Sequence, residues 1–152
     1  MGNGDFDRAL TFVLKHEGGL VDDKDDTGGL TNLGISIRAH PELSREEIKT
    51  LTPQKAGAIY RKSYWSPISG DNLPWPLCLA VFDTAVNMGV SRALSFLSGT
   101  GLGLDPRQRA QIVVNQRRAK YDDLIRQRPV MKKYRKGWMT RLADLEKLIS
   151  AS

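Results

Sequence analysis

Glu17 and Asp26, nine residues apart and each close to a glycine pair (Gly18-Gly19 and Gly28-Gly29), are the side chains of this 152-residue chain whose types and spacing could do chemistry. Two carboxyl groups on either side of an acetal are what glycosidic hydrolysis needs. One protonates the leaving oxygen, and the other holds a water or faces the developing cation from the opposite side. Thr31, five residues beyond Asp26, offers a hydroxyl able to share that water. The glycines let the backbone turn tightly and let a bulky polymer approach. On residue chemistry alone Asp22, Asp23 and Asp25 compete with Asp26 for the second role, and most of these crowded aspartates serve as a solvated loop.

The elements that must position these groups are legible on both sides. Phe6, Ala9, Leu10, Val13 and Leu14 recur at helical spacing, and Gly18-Gly19 is a stop signal. Glu17 therefore falls at the last turn, three residues after Leu14, on the side of the buried stripe. Residues 20–30 read as an acidic, glycine-rich surface loop, and Thr31 to Ile37 as a short strand in a small hairpin or sheet. The remainder reads as helix. Ser44-Arg45-Glu46-Glu47 is a capping box, and Thr52-Pro53 starts a helix running to about Tyr64. Pro74-Trp75-Pro76 leads into a helix with Leu77, Ala80, Val81, Ala85 and Met88 on one face, and Ser91 caps a short one through Leu97. Asp105-Pro106 opens a long basic helix to about Arg126, and Met131, Tyr134, Trp138, Leu142, Leu145 and Ile149 form a final stripe. The predicted fold is mainly α (α+β), one domain over residues 1–152 with a small β-hairpin or sheet near residues 20–38. The loop from Gly99 to Gly103 separates a catalytic part, about 1–98, from a basic helical lobe, about 104–152.

Composition narrows the classes. A hydrophobic fraction of 40% suffices for a globular core, and no apolar run approaches the roughly 20 residues of a membrane span. The N-terminus lacks the basic and apolar regions of a signal peptide. Cys78, the single cysteine, sits among Leu77, Leu79, Ala80 and Val81 and reads as a small core residue, which suits a reducing compartment. No His/Cys cluster has metal-ligand spacing, so neither metal nor cofactor is expected. The net charge of +6 is uneven: residues 1–100 hold 10 Lys and Arg against 12 Asp and Glu (net −2), and residues 101–152 hold 13 against 5 (net +8). A polyanionic partner facing the C-terminal half follows. The basic residues spread around helices without forming one stripe, and no nucleic-acid-binding motif is present, so no specific nucleic acid is expected.

The run from Glu17 to Ile35 resembles the N-terminal signature of the glycoside hydrolase family 108 lysozymes. These are phage-type muramidases with a Glu-Gly-Gly…Asp-x-Gly-Gly-x-Thr-x-x-Gly-Ile pattern, matched by Glu17, Gly18, Gly19, Asp26, Gly28, Gly29, Thr31, Gly34 and Ile35. Tyr64-Trp65, Leu73-Pro74 and Phe82-Asp83-x-Ala85-x-Asn87-x-Gly89 are similar to the family's mid-region. Arg118, Tyr121, Gly137-Trp138 and Arg141 are similar to its C-terminal segment, a predicted peptidoglycan-binding region. Around residues 97–105 the chain departs from the family's usual Gln and Asp-Gly, with Leu97-Ser98-Gly99 and Leu104-Asp105-Pro106 instead. The resemblance implies a lysozyme-like fold and hydrolysis of the β-1,4 bond between N-acetylmuramic acid and N-acetylglucosamine. Glu17 would be the general acid and Asp26 the base or electrostatic stabiliser, with Thr31 helping to hold water and the reaction inverting. The partners would be peptidoglycan glycan strands and, through the basic half, the anionic wall. A monomeric endolysin, held in the host bacterial cytoplasm until a separate pore former releases it, completes the expectation.

The remaining candidates have two readings each. Asp83 and Asn87, four apart on one helix, either bind sugar and line the cleft or satisfy a buried network. Tyr60, Tyr64, Trp65 and Trp75 could stack on sugars, although core packing is the commoner use of such rings. Trp138, within a regular stripe, reads as core. His16, adjacent to Glu17 on the helix, faces another way and reads as a surface or supporting residue. The functional alternatives are a lytic transglycosylase or chitosanase-like enzyme on the same scaffold, and a non-enzymatic basic domain binding wall or nucleic acid.

Overall fold

In the computed structural model, which describes residues 3–22 and 29–152, the first helix forms as α1 (Asn3–His16) and buries Phe6, Ala9, Phe12 and Val13. Glu17 follows directly, its amide still bonded to the Val13 carbonyl at 3.0 Å, so its side chain leaves from the last helical turn. Three short strands then make an antiparallel sheet in the order β1 (Val21–Asp22), β2 (Leu30–Asn32), β3 (Ile35–Ser36). Thr31 pairs with Val21 on one side and Ser36 on the other.

The single strand expected from Thr31 to Ile37 is instead a tight hairpin, turned at Leu33-Gly34 with φ of 51° and 79°. Two consecutive positive φ values are what a type I′ connection requires. Alternation in Leu33, Ile35 and Ile37 could not reveal it, because a two-residue turn leaves the two-residue period intact. Glycine is obligatory at 34, since a Cβ there would overlap both the Tyr60 hydroxyl and the Glu17 Cγ. The hairpin tip is thereby pressed onto the candidate acid, and Tyr60 fixes it by donating to the Leu33 carbonyl at 2.8 Å. The buried Asn32 donates to the Ile48 carbonyl at 3.0 Å, and Arg45 pairs with Asp22 at 2.9 Å. These two contacts tie β2 and β1 to α2 (Arg45–Lys49), which opens on the expected capping box of Ser44 and Glu47.

The helical remainder is close to expectation. α3 (Pro53–Tyr60) continues as a π-helical turn, Arg61–Trp65, before the chain breaks at Ser66-Pro67. α4 (Leu77–Met88) is the central helix, with every residue from Leu77 to Ala85 buried. α5 (Val90–Ser98) begins directly after Gly89, whose φ of 98° makes the turn, so Gly89 occupies the position expected of Ser91. A second capping box, Asp105 with Gln108, opens α6 (Pro106–Gln127). A 3-10 segment, Pro129–Tyr134, returns the chain into α7 (Arg135–Ser150). α4 packs against α1, α5 and α6, α6 packs against α7, and one core runs from Phe6 to Ile149. The result is the mainly α architecture with a small sheet that the sequence led us to expect. Among the described residues no helix is long and apolar enough to cross a membrane.

Gly34→Ala should be costly, because it combines a left-handed backbone with overlap on two side chains. The expected loss is about 1–3 kcal/mol, read as a lower urea midpoint with an unchanged slope; an unshifted midpoint would show that the hairpin tip can retreat.

Candidate active site

Glu17 is half-buried at the end of α1, its side chain 22% exposed, and its Oε1 accepts from Arg141 Nη1 of α7 at 2.9 Å. The same guanidinium turns its other edge to Asp83 of α4, with Nη2 to Oδ1 at 2.7 Å and Nε to Oδ1 at 3.1 Å. Asp83 Oδ2 accepts from Arg117 Nη1 of α6 at 2.6 Å. Arg117 Nη2 donates to the Tyr121 hydroxyl at 3.0 Å, and that hydroxyl donates to Asn87 Oδ1. Four helices thus meet through one run in which charge alternates from Glu17 to Arg117 and which ends on the neutral Tyr121 and Asn87.

Asp83 and Arg117 are fully buried. Burial by itself would raise the proton affinity of Asp83, but the adjacent Arg117 and Arg141 charges and their hydrogen bonds overcome it and hold the carboxyl below the usual range. Burial works against the charge of Arg141 as well, and Asp83 and Glu17 together push its pKa up. His16 is lowered by burial first and by the Arg141 charge second. Its Nε2 lies 3.2 Å from Asp144 Oδ2, an electrostatic contact without hydrogen-bond alignment.

Two tyrosines complete the surroundings of Glu17. Burial raises the pKa of both Tyr60 and Tyr64, and the Glu17 charge is the next contributor in each case, so both phenols remain protonated donors. Their rings lie 5.7 Å apart, and the Tyr64 hydroxyl is 3.4 Å from His40 Nε2. Tyr64 is half-buried and Tyr60 is core. Thr31 is half-buried on β2, on the face opposite Leu30 and Asn32. Asp26, the expected second carboxylate, lies outside the described residues, as do Asp23 and Asp25. Asp22 is occupied by Arg45.

Burial decides between the two readings of Trp65 and Asp83. Trp65 is 1% exposed, wedged edge-on between Phe6 and Phe82 with its Nε1 donating to Asp71 at 3.0 Å, so no face is left for a pyranose. Asp83 has both oxygens committed to arginines and no exposed surface, so of its two readings the buried network is the one realised. Trp75 is covered by the Arg8 guanidinium, 3.8 Å from its ring, and bonds to Ser152. Trp138, expected in the core, is half-buried: it stacks on Tyr121 at 4.4 Å and borders a cavity together with Asn87. Cys78 is core, its thiol pushed up to about 12 by burial.

Sequence reasoning missed Arg117 altogether and gave Arg141 no role. A signal for Arg117 existed: it interrupts the buried stripe Ala110, Val113, Val114, Tyr121 at a position where an apolar residue would fit. A charge in that register requires a partner of opposite sign, and Asp83 is the only acidic residue of α4.

Comparison with known proteins bears on the family and the fold. The model of the Glycosyl hydrolase 108 family matches residues 10–89, the segment holding Glu17, the hairpin, Tyr64, Asp83 and Asn87. The structure of Brucella abortus SagA is similar, with a TM-score of 0.83 and 28% identity, over 99% of this chain and 96% of that one. No curated protein sequence matches the chain.

Asp83→Asn leaves two buried guanidiniums facing a neutral amide. Breaking a buried pair in this way costs about 3–5 kcal/mol, to be read from urea unfolding. The wild-type pair should also be lost in acid. Ionised Asp83 is favoured in the fold, so its contribution is complete above the ordinary carboxyl value of about 3.9. It falls away as pH drops below that, through the lowered folded value. A variant with unchanged stability and acid profile would refute the pairing.

Proposed function

The chain belongs to the glycosyl hydrolase 108 family, and on that premise we propose that it is a muramidase that cuts the β-1,4 bond from N-acetylmuramic acid to N-acetylglucosamine in peptidoglycan. The observation that carries the reading is the setting of Glu17. One carboxyl oxygen is fixed by Arg141, and among the described residues no hydrogen bond reaches the other. Glu17 protonates the glycosidic oxygen. Asp26, with the Thr31 hydroxyl, positions a water on the opposite face of the sugar, and the anomeric centre inverts. Tyr64, held protonated beside Glu17, is a donor to a substrate hydroxyl or acetamide oxygen.

The basic C-terminal half holds the enzyme on the anionic wall. Lys132, Lys133, Arg135 and Lys136 are exposed on the turn into α7 and its first residues, the densest part of that charge. The family resemblance supports an endolysin that waits in the host cytoplasm for a separate pore former.

Glu17→Gln preserves shape and the Arg141 contact while removing the transferable proton. Lysis of purified peptidoglycan, followed by turbidity, should fall by roughly 10²–10⁴-fold with wall binding intact. NMR at early times should show the α anomer first; a β product would remove the water-positioning role from Asp26. An active Glu17→Gln enzyme would end the assignment.

Wall binding should weaken with salt, because screening shortens from roughly 10 Å at 0.1 M to about 3 Å at 1 M. Reversing Lys132, Lys133, Arg135 and Lys136 to Glu should reduce pelleting with peptidoglycan at low salt. Pelleting that ignores both salt and reversal would show that charge is not the anchor.

A further inference from the structure

The turn from α6 into α7 exposes apolar side chains that its charge does not explain. From Leu124 to Ala143 the chain has no Asp or Glu, and Arg126, Arg128, Lys132, Lys133, Arg135 and Lys136 fall within that stretch. All of these cations are exposed. Arg126 and Arg135 pair with Asp123 and Asp122, whereas among the described residues no ion pair reaches Lys132, Lys133 or Lys136. Between the cations, Val130 is 62% exposed and Tyr134 47%. Lys133 Nζ lies 5.2 Å from the centre of the Tyr134 ring, which lies 5.9 Å from that of Trp138, so charge and apolar surface are interleaved. Beside them Lys132, Arg135 and Lys136 converge on a shallow groove with Met139 and Thr140, and no carboxylate lines it.

A polar polyanion, such as a wall polymer, answers the cations but leaves Val130 and Tyr134 in water, where their apolar surface gains nothing. A bilayer with anionic headgroups answers both. Its phosphates suit the lysines and the groove, and acyl carbon lies just beneath them for the apolar pair. Lys and Arg fit that boundary because their stems lie along apolar surface while the charge stays in water. Tyrosine fits it because its ring settles at headgroup level, apolar body inward and hydroxyl outward.

We propose that the turn between α6 and α7 is a docking surface for an anionic lipid bilayer, with Val130 and Tyr134 reaching below the headgroups and the cations resting on their phosphates. The contact is peripheral, since among the described residues no helix is long and apolar enough to cross a membrane. It involves no bond cleavage, so it stands or falls apart from the chemistry of Glu17.

The whole protein should cosediment with vesicles made of equal parts phosphatidylcholine and phosphatidylglycerol, and stay in solution with phosphatidylcholine alone. Val130→Ser with Tyr134→Ser, at exposed positions where the fold has little to lose, should raise the vesicle Kd about tenfold. Pelleting of that variant with peptidoglycan should be unchanged. Val130→Leu with Tyr134→Trp should keep or tighten vesicle binding, and changing Lys132, Lys133 and Lys136 to Glu should abolish it. Three results would each overturn the bilayer surface: no binding to the mixed vesicles, equal binding to both vesicle types, or a serine variant that binds the mixed vesicles as the wild type does. A serine variant that loses wall pelleting in parallel would overturn it as well, because the apolar pair would then not distinguish lipid from wall. If vesicles fail while wall pelleting responds to charge reversal, the turn is a wall anchor only.

Discussion

Arg141 divides one guanidinium between two carboxylates, and the arrangement of the molecule depends on that division. Its Nη1 reaches Glu17 while Nη2 and Nε grip Asp83, so a single planar group fixes the end of α1 against the middle of α4. The fork geometry admits little rotation, since two edges are satisfied simultaneously. Asp83 is in turn held by Arg117, which sets α6 relative to the same point. The axial position and rotation of α7, the last helix to be made, are therefore linked to a carboxyl 124 residues earlier.

Such a cluster has to be explained, because apolar side chains of similar volume often make an equally stable core. The surroundings are apolar enough to have accommodated them: α4 is buried from Leu77 to Ala85 with Asp83 as the exception in charge. What an apolar replacement could not supply is direction. The ionic run ends on Glu17, which is only partly buried, and so transmits the rigidity of the core to a side chain at the surface. The hairpin acts from the other side. Gly34 lies against the Glu17 side chain and is held there by Tyr60, itself a core residue. Glu17 is fixed between a buried cation and a turn that has no side chain, each supported by elements distant in sequence.

Much of this was legible in the chain, and the exceptions have physical causes. The caps at Ser44 and Asp105, the stop after His16 and the buried stripe of α4 are local matters of propensity and hydrogen bonding, and they formed where read. Glu17 stood out as a candidate because its neighbours, rather than its own type, are unusual, and it lies at the end of α1 where the glycine stop signal put it. The turn at Leu33-Gly34 was hidden because it preserves the alternation it interrupts. Trp65 takes the core reading, sealed between Phe6 and Phe82, whereas Trp138, which its stripe placed in the core, borders a cavity, since periodicity measures how a helix face repeats and not how deep it sits. The Asp83 cluster could not be read at all from one element. Its residues become partners only when α4, α6 and α7 pack, and only the misplaced polarity of Arg117 on an apolar stripe hinted at it.

On the proposed reading, in which Glu17 is the general acid, the division of Arg141 also constrains how it would act. A guanidinium has five donors and no acceptor, so it can neither take a proton from Glu17 nor lie against a protonated oxygen without losing its hydrogen bond. With Nη1 on Oε1, the proton to be delivered belongs on Oε2. Burial and the nearby Glu17 charge keep the Tyr60 and Tyr64 phenols protonated, so neither can take that proton as a base. Arg141 thus leaves Oε2 as the atom from which a proton would be transferred. An acid that must reach one glycosidic oxygen in a long polymer gains more from a fixed direction than from a mobile side chain, since misplacement of a proton donor forfeits most of its effect.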